Sequence, residues 1–205
     1  MNFDEKAKDW DKDPLKVETA KAFADEILKI ADTSKALTAL EYGSGTGLVS
    51  FQLKDKFTSI TLADTSKGMM EVLEEKLKSE NLKNFKPFLI GDSPDLLKLP
   101  VTDIVYTLLT LHHVKNLDEV FSVFNRIIKK GGYLFIGDLV TEDGSFHHRD
   151  PEFDGHPGFN TAELTEKLSS EGFEFISDSI FYTIEREHEG KKKKYPLFAL
   201  VLKKK

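Results

Sequence analysis

The chain contains 205 residues, which is enough for one sizeable core that buries roughly 70% of the surface exposed by the unfolded chain. Its formal net charge of −6 argues against a nucleic-acid-binding protein, so we expect a small-molecule ligand and no nucleic-acid partner. The sequence has no cysteine, which excludes disulfides, thiolate metal ligands and cysteine nucleophiles, and which suits a reducing cytoplasm.

Apolar spacing predicts alternating helices and strands over the first two thirds of the chain. After Pro14, apolar residues recur at intervals of three and four, which predicts an amphipathic helix. Strands are predicted at "ALTALEY", "SITLAD", "FKPFLIGD", "TDIVYTLL" and "YLFIGDLV". Helices are predicted between them at "LVSFQLKDKF", "KGMMEVLEEKLKSE" and "LDEVFSVFNRIIKK", the last ended by Gly131 and Gly132.

The final third of the chain begins with an irregular segment. Residues 142–159 are polar and rich in turn formers, and a loop of that length is usually functional, so we predict a loop on the substrate side. Asn160 is predicted to cap a further helix that Gly172 ends, and two long strands after it predict an antiparallel hairpin. The whole pattern predicts one α/β domain over residues 1–205. It is Rossmann-like and doubly wound, with a mostly parallel seven-stranded sheet, helices on both faces and a C-terminal antiparallel hairpin.

A glycine-rich loop, "EYGSGTG" at residues 41–47, joins the first strand to a helix, where backbone in a parallel sheet can approach a ligand closely. Its third glycine, Gly47, comes one residue too early for the G-x-G-x-x-G pattern of dinucleotide-binding loops. Asp64 ends the second strand 21 residues after Gly43, the spacing expected of a carboxylate that binds ribose hydroxyls. Glu41 would repel phosphate and attract an ammonium or sulfonium group. Together these features favour S-adenosylmethionine as the ligand.

At these residues the chain resembles the class I S-adenosylmethionine-dependent methyltransferases, in the branch that methylates small molecules. The similar motifs are "FDEKAKDWD", "LEYGSGTG", "LADTSKGMM", "LIGDSPDL", "TDIVYTLLTLHHV" and "IIKKGGYLFIGD", so the resemblance extends from about residue 3 to the C-terminus. It implies an enzyme that moves the methyl group of S-adenosylmethionine to a small organic acceptor by in-line displacement.

The resemblance also implies which residues hold the cofactor. The glycine loop would line the methionine and ribose, Glu41 would orient the loop and the amino group, and Asp64 would bind the ribose hydroxyls. The following strand ends would border the adenine, and the end of the fourth strand would lie near the methyl group. The residues assigned in this way are Glu41, Gly43, Ser44, Gly45, Gly47, Asp64, Thr65, Met69, Gly91, Asp92, Ser93, Thr107 and Leu108.

Histidine is the natural general base for an acceptor that carries a proton, because its ordinary pKa lies near neutrality. The candidate bases are His112, His113, His147 and His148. We expect the base to be His113 or a histidine of the 142–159 loop, with packing beneath the strand end as the alternative role for the first pair. By resemblance, residues 1–14 form a lid that includes Trp10. Phe146 and His156 belong to the irregular loop, so we expect them on the substrate side.

Other functions and sites are weaker alternatives. The histidines and aspartates at 147–156 offer metal ligands, but their spacing matches no metal signature, so we predict no metal. A non-catalytic S-adenosylmethionine-binding scaffold remains open, and a dinucleotide-dependent oxidoreductase is disfavoured by the position of Gly47. No apolar run approaches 18 residues and the N-terminus is charged, so we expect neither a membrane partner nor a signal peptide. We expect a cytoplasmic monomer or homodimer.

Overall fold

Seven strands form one sheet in the computed structural model, which describes residues 2–91, 93–148, 150, 152–188 and 190–205. The strands are β1 (Thr38–Tyr42), β2 (Ser59–Asp64), β3 (Phe85–Leu89), β4 (Thr102–Leu108), β5 (Ile128–Leu139), β6 (Phe173–His188) and β7 (Lys191–Lys204). Their order across the sheet is β3-β2-β1-β4-β5-β7-β6. Strands β1 to β5 pair in parallel and β7 runs antiparallel to both neighbours, which confirms the predicted sheet and its C-terminal hairpin.

Helices cover both faces of this sheet. They are α1 (Phe3–Lys6), α2 (Pro14–Ile30), α3 (Leu48–Gln52), α4 (Lys67–Glu80), α5 (Ser93–Leu96), α6 (Leu117–Ile127) and α7 (Thr161–Ser170). Helices α2, α3 and α4 pack into one apolar core, and α6 and α7 pack into another. Neighbouring residues Ala39 and Leu40 of β1 belong to different cores, because successive strand side chains point to opposite faces. No helix among the described residues is both long and apolar enough to cross a bilayer.

The helix before β5 is shorter than its sequence pattern predicts. Helix α6 ends at Ile127, so the predicted extension through Lys130 is wrong, and Gly131 and Gly132 lie within β5. Ile128 adopts extended φ and ψ angles of −81° and 130°, is buried, and pairs with Thr102 of β4. Pairing with a neighbouring strand therefore overrides the local helical pattern at this β-branched residue.

The N-terminal segment lies across the carboxyl ends of β1 and β2. It consists of α1 and a 3₁₀ helix at Ala7–Lys12. Asp4 accepts hydrogen bonds from the Ser66 hydroxyl at 2.5 Å and from the Gly68 amide at 2.9 Å. Asp11 accepts hydrogen bonds from Lys76 of α4 and from Thr46 of the glycine loop. These contacts place the segment over the edge of the sheet where ligands of parallel α/β folds bind.

Candidate functional site

The glycine loop between β1 and α3 presents bare backbone to the edge of the sheet. Gly43 and Gly45 have φ angles of +70° and +53°, which favour glycine over any other residue. A Cβ atom at Gly43 would lie 2.2 Å from the side chain of Thr110, so this position admits no side chain. Around Gly45 the space is open, and the nearest atom to an added Cβ would be the Met69 sulfur at 4.0 Å. The loop therefore packs tightly at Gly43 and leaves room beside Gly45.

That room is part of a cavity of about 400 Å³. Eight of the residues that the sequence assigns to a cofactor line it: Glu41, Gly43, Ser44, Gly45, Asp64, Thr65, Met69 and Leu108. The Ser44 hydroxyl is buried and has no hydrogen-bond partner among the described residues. A buried hydroxyl without a partner is costly, so the wall offers a polar contact to a ligand.

Other assigned residues lie elsewhere. Gly47 is the N-cap of α3 and lies outside the cavity wall. Thr107 is 1% exposed and also lies outside the cavity wall. Its neighbour Leu108 lines the cavity, and successive residues of a strand face opposite sides of the sheet. Gly91 also lies outside the wall, and its amide donates a hydrogen bond to Asp95 at 2.9 Å. Asp92 and the side chain of Ser93 lie outside the part of the chain that the structure describes.

Asp64 joins the end of β2 to the glycine loop. One carboxylate oxygen accepts a hydrogen bond from the Gly45 amide at 2.6 Å, and the other accepts from the Ser66 amide at 2.8 Å. Burial raises the pKa of this carboxyl, and the hydrogen bonds from backbone amides oppose that rise. Each carboxylate oxygen can accept a further hydrogen bond, so Asp64 can also receive hydroxyl donors from a ligand in the cavity.

Glu41 is 2% exposed and lines the same cavity. Its Oε2 atom accepts hydrogen bonds from the hydroxyl of Ser50 and, at 3.2 Å, from the Ser50 amide at the start of α3. The Ser50 hydroxyl also lies 2.7 Å from the hydroxyl of Tyr106. Burial raises the pKa of Glu41 to about 8, despite these hydrogen bonds. The carboxyl is therefore largely neutral at pH 7 when no cation lies beside it.

A second cavity, of about 590 Å³, adjoins the first. The two cavities share wall residues Phe3, Trp10, Lys16, Thr19, Leu109 and His113. Four further predicted residues line the second cavity alone: His112, Phe146, His147 and His148. His156 lines neither cavity, and its Nε2 atom lies 3.0 Å from the carbonyl oxygen of Val114. The predicted lid and the predicted substrate-side loop thus meet at one place.

Three of the predicted histidines form a cluster in this second cavity. His112 and His113 belong to a 3₁₀ turn after β4, and His147 belongs to a 3₁₀ turn within the 142–159 loop. Burial and the neighbouring His112 and His147 lower the pKa of His113 to about 3, and burial, His112 and Arg186 lower that of His147 to about 4. Both rings are therefore neutral at pH 7.

Several residues of the site are not among those that the sequence assigns. Lys16 and Thr19 lie on the first two turns of α2, and the amphipathic pattern of that helix does not separate them from other polar positions. Leu109 has a φ angle of +49°, an uncommon conformation for a bulky residue, and it lines both cavities. Asp138, at the end of β5, lies 2.6 Å from the ring of His112. Asp138 lies at the carboxyl end of a parallel strand, where ligands of this fold bind, and that position could have identified it from the sequence.

Comparison with known proteins agrees with this geometry. A family model described as a methyltransferase domain matches residues 40–136. An uncharacterized methyltransferase of Schizosaccharomyces pombe is 28% identical over 121 residues, which are 54% of this chain and 42% of that protein. A malonyl-[acyl-carrier protein] O-methyltransferase of Ilyobacter polytropus is 24% identical over 185 residues, which are 86% of this chain and 69% of that protein. The chain thus spans less than half the length of the yeast protein.

Among solved structures, the YcgJ protein of Bacillus subtilis superposes with a TM-score of 0.72 at 13% sequence identity. The superposition covers 88% of this chain and 96% of that one. At so low an identity, the likeness concerns the fold.

Proposed function

As the chain belongs to the class I S-adenosylmethionine-dependent methyltransferase family, we propose that it methylates a small organic acceptor held in the second cavity. The observation that carries this proposal is the pair of adjoining cavities at the end of β4. The glycine loop and two carboxyls line the first, and histidines line the second. Two reactants in these cavities would meet at their shared wall, and such alignment supplies much of the acceleration in a displacement reaction.

The residues of the first cavity fit S-adenosylmethionine. When bound, this cofactor supplies a methyl group on a positively charged sulfur. Asp64 would accept the hydrogen bonds of the ribose hydroxyls, and the buried Ser44 hydroxyl would gain a partner. Glu41 would face the cationic methionine portion, and Met69 would border the apolar adenine ring. The N-terminal segment would exclude water from this contact, since it is fastened to the glycine loop through Asp11.

His113 lines both cavities, so we assign to it the role of general base, which would accept the proton of the acceptor directly. Its ring is neutral at pH 7 and presents a lone pair, although its lowered pKa makes it a weaker base than an ordinary histidine. His112 instead directs Nδ1 at Asp138, an arrangement that suits a positioning role. His147 shares the second cavity and is the alternative base.

A screen for methylated products tests the proposal. Incubation with methyl-labelled S-adenosylmethionine and a panel of phenols, thiols and carboxylic acids should yield label in at least one class of acceptor. Carboxylic acids belong in the panel because the relative from Ilyobacter polytropus is named for an O-methyltransferase activity on a malonyl group. His113→Ala should lower turnover at saturating cofactor at least 100-fold, the lower end of general-base contributions of roughly 100- to 10,000-fold. Cofactor binding without any labelled product would favour the non-catalytic scaffold.

A further inference from the structure

The histidine cluster brings ring nitrogens from two distant turns to one point. One nitrogen each of His112, His113 and His147 lies within 4.8 Å of those of the other two. The ring centres are 4.1 Å apart for the adjacent pair, and 5.1 Å and 5.2 Å apart for the pairs that include His147. Imidazole nitrogens that converge in this way are a donor set for a transition metal.

Asp138 orients the first of these rings. Its carboxylate lies 2.6 Å from Nδ1 of His112, and both side chains are almost fully buried, with exposures of 1% and 2%. The same carboxylate accepts hydrogen bonds from the backbone amides of His112 and Leu139. An acceptor so placed keeps the proton of a neutral ring on Nδ1 and leaves the Nε2 lone pair free. Carboxylates fix metal-binding histidines in this manner.

His147 supplies an independent sign that a ligand is missing from the cluster. The residue is 8% exposed, and its Nε2 atom is buried with no hydrogen-bond partner among the described residues. Its ring lies flat against Phe153, with ring centres 3.8 Å apart. A ring held by stacking with one nitrogen unsatisfied is costly unless something binds that nitrogen.

We infer that His112, His113 and His147 bind a divalent transition-metal ion, for which Zn²⁺ is the best fit. Three imidazoles with a fourth position left for water or substrate are a catalytic zinc set, whereas Mg²⁺ and Ca²⁺ prefer oxygen ligands. Tetrahedral zinc with Zn–N bonds of about 2.0–2.1 Å places its ligand nitrogens about 3.3 Å apart. The nitrogens, which lie within 4.8 Å of one another, therefore need to approach by at most roughly 1.5 Å.

The spacing of histidines within residues 147–156 predicts no metal, because the ligands of the cluster come from two separate segments. Only His147 of that segment joins the cluster, and its neighbour His148 places Nδ1 2.8 Å from the carbonyl oxygen of Ser145. The other two ligands come from the turn after β4.

The role of this ion deepens the proposed function and rests on it. All three histidines line the second cavity, so the fourth coordination position is available to the acceptor. An acceptor oxygen or sulfur bound there loses its proton to water at a lower pH than in solution, because the cation stabilises the anion. The anion would use its electron pair to form the new bond to the methyl carbon. The methyl–sulfur bond would break at the same time, and its electron pair would stay on the sulfur of the departing S-adenosylhomocysteine. In the metal-loaded protein, the cation thus replaces direct proton transfer to His113.

Zinc titration without cofactor tests the inference. Protein that carries no histidine tag, stripped of metal with a chelator, should bind one Zn²⁺ per chain in calorimetry. Co²⁺ in its place should give the visible absorption of a tetrahedral site. His147→Ala should lower zinc affinity at least 100-fold, and Asp138→Asn should lower it by about 10- to 100-fold through the orientation of His112. Asp25→Ala, which removes an exposed carboxylate of α2 outside both cavity walls, serves as the control and should bind zinc like the unaltered protein.

Zinc binding that is absent in the unaltered protein, or that persists unchanged in His147→Ala, would overturn the inference. Asp138→Asn and His147→Ala act at different sites, so one folded variant suffices for a decision, with thermal unfolding as the check. A separate titration of the metal-free protein with S-adenosylmethionine distinguishes the two proposals. Cofactor binding without zinc binding overturns only the metal site, and zinc binding without cofactor binding overturns only the proposed function.

Discussion

Replacing Asp64 with alanine is expected to lower the affinity for S-adenosylmethionine about 100-fold. A hydrogen bond to a charged group contributes about 1.5–3 kcal/mol, and a loss of roughly 2.7 kcal/mol corresponds to a factor of about 100 in the dissociation constant. Asp64 also accepts the amides of Gly45 and Ser66, so the variant loses the contact that fixes the loop as well as the ligand contact. Calorimetric titration with S-adenosylhomocysteine, which is not consumed, gives the cleanest comparison.

The control for this variant is Asp25→Ala, which removes an exposed carboxylate on α2 outside both cavity walls. It should bind the ligand like the unaltered protein. Circular dichroism and thermal unfolding would show whether each variant folds. A folded Asp64→Ala protein that binds within threefold of the unaltered protein would show that the ligand does not contact this carboxylate.

The affinity for S-adenosylmethionine should rise with pH and level off above about pH 8. Glu41 has a pKa of about 8 in the free protein because it is buried. A cation beside it favours the ionised form, so the complex binds fewer protons than the free protein, and affinity rises until the free protein is also ionised. For a single proton and a fully ionised complex, the increase between pH 6 and pH 8 is about 50-fold.

Calorimetry in two buffers with different ionisation enthalpies would measure the released proton directly. Glu41→Gln keeps the shape of the side chain and removes its charge, so its affinity should be weaker at pH 8 and should lose this part of the pH dependence. Titration of the ligand's own amino group is common to both proteins, so their difference isolates Glu41. Equal pH profiles for the two proteins would contradict a charge interaction at Glu41.

Local patterns in the sequence predict most of the fold and many of the residues that line the first cavity. The strands and the order of helices follow from apolar periodicity, and the glycine loop with Asp64 follows from the spacing between two consecutive strands. These features lie close together along the chain or repeat at a fixed period. The predicted end of α6 is wrong because the conformation of Ile128 depends on its pairing with Thr102, a residue 26 positions away in the chain.

The second cavity, by contrast, is formed by residues that lie far apart in the sequence. His113 and His147 are 34 residues apart, and their approach requires the 142–159 loop to fold back over the end of β4. The backbone amide of His156 donates a hydrogen bond to the carbonyl oxygen of His112 at 2.7 Å, which fastens this loop to the turn. This hydrogen bond joins two backbone groups, so the identities of the two residues do not predict it.

The most direct test of the account follows the single tryptophan of the chain during titration with S-adenosylhomocysteine. Trp10 lines both cavities, and its ring centre lies 5.9 Å from that of Phe3 and 4.1 Å from the amino group of Lys16. Ligand in the first cavity should change its emission in a saturable way, with one site per chain, and NAD should produce no change. Calorimetry under the same conditions would contradict the account if it showed binding of NAD and none of S-adenosylhomocysteine.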